Sequence, residues 1–213
     1  MPAPPSRKTG RPKIGIMGGT FDPIHLGHLV SAEEARQQFS LDRVIFVPAG
    51  LPPHKEREKV TACEHRYLMT ALAVMSNPDF AVSDYEVKKD EPSYTIDTVR
   101  YIACREPDGA AIYFITGADA IMEILTWKDY GALLESCTFI AVSRPGYSLE
   151  RLREIAAERY PAVLQKVHML EIPALAISST FIRERAALGK TIKYLIPETV
   201  EQYIKKHGLY INP

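Results

Sequence analysis

Two short stretches of the chain carry the residue types that phosphate chemistry needs. The first runs Gly18-Gly19-Thr20-Phe21-Asp22-Pro23-Ile24-His25-Leu26-Gly27-His28, after the apolar run Ile14–Met17 and before a helix-like pattern from Leu29 to Phe39. A strand, a glycine turn and a helix start in that order gather backbone N–H groups and a positive dipole end at one place. Such a place suits an anion, phosphate above all. His25 and His28 stand beside it, with Gly27 between them to let a ligand approach closely. The second stretch, Ile177-Ser178-Ser179-Thr180-Phe181-Ile182-Arg183, places a good N-cap serine and further hydroxyls at another helix start. Arg183 falls one turn along on the face of Ser179, within reach of the same phosphates.

These groups need a scaffold that brings distant parts of the chain together. Strand-like apolar runs recur at Ile14–Met17, Val44–Pro48, Ala81–Val87, Ala111–Thr116, Phe139–Ser143 and Val167–Ile172. Amphipathic stretches alternate with them near Leu29–Phe39, Glu64–Ser76, Thr95–Cys104, Trp127–Glu135 and Leu149–Ala157. A helix is expected from Ser178 through Ala187 with Gly189 as C-cap, and a last one from about Pro197 to Lys206, ending near Gly208. Strict alternation predicts an α/β, Rossmann-like, doubly wound and mainly parallel sheet, with helices on both faces and a C-terminal helical segment. Ligands in such sheets bind beyond the carboxyl ends of the strands, where the strand order reverses. The Gly18-Gly19 turn follows the first strand and belongs on that edge.

Composition narrows the classes. The 213 residues suffice for one domain with a real core, and the expected division is a flexible tail over 1–12 and a single domain over 13–213. Lys+Arg and Asp+Glu balance at 26 each, so no global field draws the chain to nucleic acid or an anionic membrane. Any phosphate ligand must be held by local groups. No apolar run approaches the roughly 20 residues of a membrane helix, and the Pro-rich basic start has no apolar segment before Ile14. Cys63, Cys104 and Cys137 show neither zinc spacing nor a disulfide framework, which places the protein in a reducing cytoplasm with all three thiols expected to be buried. The fingerprints G-x-G-x-x-G and G-x-x-x-x-G-K-[ST] are both missing from the sequence. Their absence argues against NAD-dependent hydride transfer and against a P-loop ATPase. A homo-oligomer stays open.

His25-Leu26-Gly27-His28 resembles the HxGH signature of the nucleotidyltransferase superfamily, which joins a nucleoside triphosphate to a second phosphorylated molecule and releases pyrophosphate. The full string from Gly18 to His28 is similar to that of the bacterial nicotinate mononucleotide adenylyltransferases. Ile177–Arg183 resembles the superfamily's ISSTxxR motif, which binds ATP phosphates. Ser93-Tyr94-Thr95-Ile96-Asp97-Thr98 resembles the family's SYTxDT motif, and Trp127 follows Gly117-Ala118-Asp119 at a spacing similar to its GxD…W pattern.

The resemblance implies an enzyme that joins the AMP moiety of ATP to nicotinate mononucleotide by direct in-line attack, giving nicotinic acid adenine dinucleotide. The attacking phosphate is ionised at neutral pH, so no base and no covalent intermediate are required, only positioning and charge stabilisation. By resemblance, His28 meets the α-phosphate region and His25 the neighbouring phosphates. Arg183 is the third catalytic group, and Gly18, Gly19, Thr20, Phe21, Gly117, Asp119, Ser178, Ser179 and Thr180 complete the ATP site. Asp119 reads equally as a hydroxyl acceptor or as the N-cap of a short helix. On the mononucleotide side stand Thr95 at the pyridine substituent, Trp127 stacked on the ring, Lys128 near the carboxylate, and Lys55 and Arg144 as loop cations. Lys55 and Arg144 also read as plain surface residues. Mg²⁺ is expected to arrive with ATP, since no Asp/Glu cluster marks a protein metal site. Nicotinamide mononucleotide, phosphopantetheine (for which a Thr is expected where His25 stands) and a nucleotide sensor without turnover remain as alternatives.

Overall fold

The computed structural model describes residues 10–51, 60–89, 91–143, 165–173 and 176–211. Six strands form one sheet: β1 Lys13–Gly19, β2 Arg43–Pro48, β3 Phe80–Val82, β4 Ala111–Gly117, β5 Thr138–Ser143 and β6 Val167–Glu171. Their order is β3-β2-β1-β4-β5-β6 and every pairing is parallel. This is the expected doubly wound sheet, with the order reversing between β1 and β4.

Parallel strands covered on both faces read as near-continuous apolar runs, and alternate residues here feed two separate cores. Val44, Phe46, Ile115 and Ile140 enter one core with α1 (Leu26–Phe39), α2 (Cys63–Val74), α6 (Ser179–Ala187) and α7 (Glu198–His207). Ile14, Ile16, Ile45, Val47, Phe114 and Phe139 enter the other with α3 (Thr95–Ala103) and α5 (Tyr130–Ser136). A short helix α4, Ala118–Met122, and a 3₁₀ turn, Ile124–Thr126, follow β4 directly.

Several expected boundaries shift. The strand expected over Ala81–Val87 stops at Val82, because the next residues turn to set Glu86 inward, where its carboxyl accepts from Thr98 Oγ1 at 2.5 Å. The helix expected from Trp127 begins at Tyr130 instead: Trp127 is extended, and Asp129 at φ 51 is the N-cap. Within the expected tail, Pro12 accepts the backbone N–H of Ala111 at 2.7 Å, and Arg11 bonds the Gly109 carbonyl, so 11–12 are tied to the start of β4. The expected helix near Leu149–Ala157 lies outside the described residues.

The thiols also differ from expectation. Cys137 is buried, but Cys63 is only half-buried and Cys104 is exposed beyond the last turn of α3, because that end of the helix faces solvent. Burial pushes the Cys137 thiol up to about 12. The thiolate is the reactive form, so a thiol reagent at pH 8 is expected to label Cys104 first and Cys137 only once the protein unfolds. Mass mapping of a brief labelling reaction checks this, and early labelling of Cys137 would contradict it.

Candidate active site at the strand-order reversal

A cavity of about 570 Å³ opens where β1 and β4 diverge. Its floor is Met17 and Gly18 from β1 and Ile115–Gly117 from β4; Val142 and Ser143 of β5 extend it. His25, Gly27, His28 and Ser31 enter from the start of α1, and Ser178 and Ser179 from the start of α6. Two helices of the same face therefore aim their N-termini into one space, which their dipoles make attractive to an anion.

The two histidines cap their own helix reciprocally. His25 is the N-cap of α1, and its carbonyl accepts the N–H of His28 at 3.0 Å. In return His28 Nδ1 accepts the N–H of His25 at 3.2 Å. The His28 imidazole thus takes the place of the Glu of a capping box. A ring nitrogen that accepts an N–H carries no proton, so His28 holds its proton on Nε2, as a donor. The rings stack at 3.7 Å and 24°. Phe21, 2% exposed, stands at right angles to His28 at 5.0 Å. Gly27 has a role besides ligand access: a Cβ there would lie 3.0 Å from His25 Nδ1, so glycine makes room for the stacked ring.

The second motif is fastened onto the first across the chain. Ser179 Oγ donates to the Pro23 carbonyl at 2.9 Å and Arg183 Nη1 to the Asp22 carbonyl at 2.7 Å. Ser178 caps α6 by accepting from the Phe181 N–H at 3.1 Å. Leu26 N–H is tied to the Leu195 carbonyl at 3.0 Å, which anchors the start of α1 to the turn before α7.

Of the residues expected at ATP, Gly18, His25, His28, Gly117, Asp119, Ser178 and Ser179 line the cavity. Gly19, Thr20, Phe21, Thr180 and Arg183 are not among its lining residues. Asp119 is not an N-cap; Gly117 holds that position in α4, and Asp119 sits exposed in the first turn. The mononucleotide group forms a second cluster, on the other face of the sheet. Thr95 opens α3, and Lys128 Nζ lies 4.2 Å over the ring of Tyr94, so the two segments meet. Trp127 is half-buried, with its ring near-perpendicular to Phe114 at 6.1 Å and to Phe139 at 6.3 Å. Lys55 and Arg144 lie outside the described residues.

Sequence reasoning passed over Ser31, Thr116 and Ser143 as lining residues. Ser31 was findable, since it lies three positions after His28 on the same helix face. It also passed over Asp22 and Arg66, which are 4% and 1% exposed: Asp22 lies in the Gly18–His28 loop, and Arg66 bonds the Thr20 carbonyl of that loop. A charged residue in a helix pattern gives no sign from sequence that it points inward.

Known proteins resemble this chain over most of its length. Residues 16–185 match the cytidylyltransferase-like family model. A probable nicotinate-nucleotide adenylyltransferase of Moorella thermoacetica is 55% identical over 198 residues, covering 93% of this chain and 91% of its own. One of Thermoanaerobacter sp. is 52% identical over 198 residues, covering 93% and 94%. In fold, the chain is similar to the Plasmodium falciparum nicotinic acid mononucleotide adenylyltransferase solved with NaAD. The TM-score is 0.75 at 24% identity, with 94% of this chain and 98% of that one covered.

Proposed function

From the premise that this chain belongs to the cytidylyltransferase-like family, among its nicotinate-nucleotide adenylyltransferases, we propose that it transfers the AMP moiety of ATP to nicotinate mononucleotide. The products are nicotinic acid adenine dinucleotide and pyrophosphate, a step of NAD biosynthesis in the cytoplasm. The observation that carries the reading is the joining of the two phosphate motifs at the strand-order reversal, with His28 Nε2–H and two helix N-termini converging on one cavity.

A phosphate oxygen of the mononucleotide attacks Pα of ATP, forming the new P–O bond as the bond from Pα to the bridging oxygen breaks. The electron pair leaves with pyrophosphate. Donors fixed beforehand at the triphosphate stabilise the charge that develops there, and the protein needs to move no proton. His28 serves the α-phosphate, and His25 and the start of α6 serve the phosphates beside it. Arg183, held at the Asp22 carbonyl, is the nearby cation. Asp119 is the candidate acceptor for a ribose hydroxyl. Mg²⁺ enters as part of the MgATP substrate. A histidine such as His28, whose accepting nitrogen is taken by a backbone N–H, makes a poor ligand for a hard cation.

Pyrophosphate release from MgATP, with nicotinate and nicotinamide mononucleotides in parallel, tests the reading. Release strongly favouring the acid is expected. Equal rates would make the enzyme dual in specificity, and silence with both would refute the assignment.

On the mononucleotide side, Trp127→Ala is expected to raise the KM for the mononucleotide by about 10-fold or more, the scale of a lost base-on-aromatic stack, with the KM for ATP little changed. Trp127 also packs against the core, so thermal unfolding is measured alongside. An unchanged mononucleotide KM in a folded variant would remove Trp127 from the site.

A further inference from the structure

Arg66 lies in the second turn of α2, where Cys63-Glu64-His65-Arg66 reads as an ordinary charged helix start, yet it is 1% exposed. Its guanidinium makes four hydrogen bonds, all to backbone carbonyls. Nη1 donates to Thr20 at 2.8 Å and to Ala49 at 2.6 Å, Nη2 to Gly50 at 2.9 Å, and Nε to Thr61 at 2.8 Å. Thr20 leaves the end of β1, whereas Ala49 and Gly50 leave the end of the neighbouring strand β2. One planar group thus spans the two loops that emerge side by side at the carboxyl edge of the sheet.

The charge has a buried counterpart. Burial pulls the Arg66 guanidinium down from its usual range, and Asp22 is the main group opposing that shift. Asp22, 4% exposed, accepts from Tyr210 OH at 2.6 Å through Oδ1 and from the Thr61 N–H at 3.3 Å through Oδ2. Thr61 therefore links the two ions, giving its N–H to Asp22 and its carbonyl to Arg66. Tyr210 braces the carboxylate from near the C-terminus. On its outer side the same loop is held by α6, through Arg183 at the Asp22 carbonyl and Ser179 at the Pro23 carbonyl. His25 follows two residues later.

Burying two opposite charges is a poor way to gain stability, since well-packed apolar side chains often do as well or better. A rigid five-donor fork does something apolar residues cannot: it sets distances between carbonyls of separate segments. We propose that Arg66 is a positioning residue, a clamp braced by Asp22 and Tyr210 that fixes the histidine-bearing loop relative to the loop after β2. Through that spacing it sets the alignment of the two substrates. The inference rests on the adenylyl-transfer reading of the site.

The test uses the full chain as wild type, Arg66→Lys, Arg66→Ala and Tyr210→Phe, with pyrophosphate release from MgATP and nicotinate mononucleotide as the assay. Lysine keeps the charge but offers one compact donor group, so Arg66→Lys is expected to melt cooperatively and to lose about 10²-fold in kcat, the scale of a misplacement near 1 Å. Arg66→Ala is expected to recover at least about 10-fold in turnover with millimolar guanidinium and none with ammonium, because only the former restores the fork. Tyr210→Phe is expected to lower kcat about 3- to 10-fold, the scale of one hydrogen bond's net contribution, with its melting cooperative. Arg66→Lys within twofold of wild type in kcat and both KM values would overturn the clamp. So would a folded Arg66→Ala that guanidinium fails to rescue. Should neither Arg66 variant fold, Tyr210→Phe decides: wild-type constants overturn the proposal and a reduced kcat supports it. A wild type silent with every mononucleotide would refute the functional reading alone. The clamp would then be read from calorimetric MgATP affinity, at least about 10-fold weaker in Tyr210→Phe or Arg66→Lys if it holds, and equal to wild type if it does not.

Discussion

Replacing His28 is expected to lower kcat by about 10²- to 10³-fold, the effect of deleting one preorganised donor at a developing charge, while the KM for the mononucleotide changes little. Two variants separate the two things His28 does. Alanine removes both the Nε2–H donor and the Nδ1 acceptor that caps α1 at 3.2 Å. Asparagine places an amide oxygen near the Nδ1 position and keeps the cap, but has nothing at Nε2. Both are expected to lose turnover alike, whereas only alanine is expected to lose about 1 kcal/mol of stability, the typical worth of a helix cap. Steady-state kinetics and thermal melts of the pair check this. A His28→Asn enzyme with wild-type kcat would show that the ring serves only the helix. Equal losses in kcat and in mononucleotide binding would remove it from the α-phosphate.

The second large effect is at Gly50. A Cβ at this position would lie 2.1 Å from the Glu86 carbonyl oxygen and 2.9 Å from its carbon, both backbone atoms that no rotamer change can move aside. Gly50→Ala must therefore push the loop after β2 away from the turn after β3. That movement pulls on two buried groups at once: the Gly50 carbonyl that receives Arg66 Nη2 at 2.9 Å, and the Glu86 carboxyl that receives Thr98 Oγ1 at 2.5 Å. Overpacking of this kind costs about 1–3 kcal/mol, and a strained buried hydrogen bond adds to it. A loss of about 3 kcal/mol in denaturant unfolding is expected. The KM for the mononucleotide is expected to rise more than the KM for ATP, because Thr98 belongs to the segment that opens with Thr95. A variant as stable as wild type would mean that the loop yields freely.

Glu86 adds a pH dependence with a definite sign. Burial raises its carboxyl above the ordinary value, with Thr98, Ser93 and the Gly50 backbone opposing. A carboxyl raised on folding favours the native state while protonated, so this group's contribution is present below pH 4.5 and is lost as pH rises toward its folded value. Glu86→Gln is expected to cancel that dependence, and pH-resolved melts of the two proteins check it.

The sheet was legible because each strand is a short apolar run between helical patterns, and parallel strands buried on both faces leave that signature. The start of α1 was harder to read: the helix begins at Leu26 and not Leu29, since the residues that cap it are histidines and not Ser or Asp. Trp127 read as helical by its place in an amphipathic stretch. The αL turn at Asp129 breaks that continuity through backbone geometry that no local composition announces.

The site divides in the same way. Sequence alone determined the chemistry: glycines, imidazoles, hydroxyls and Arg183 at spacings that suit a phosphate, because helix starts and i, i+3 or i, i+4 neighbours are set by local geometry. Only the tertiary structure decided what those residues do to one another. It made the His28 imidazole the acceptor of the His25 N–H, and thereby selected the donor nitrogen of His28. It joined Arg183 to Asp22 across 161 positions, and it made Arg66 a buried fork bonded to the loop. The physical reason is that hydrogen bonds between distant backbone segments depend on where the sheet brings the chain back, and a charged side chain in a helix looks the same in sequence whether it faces water or four carbonyls.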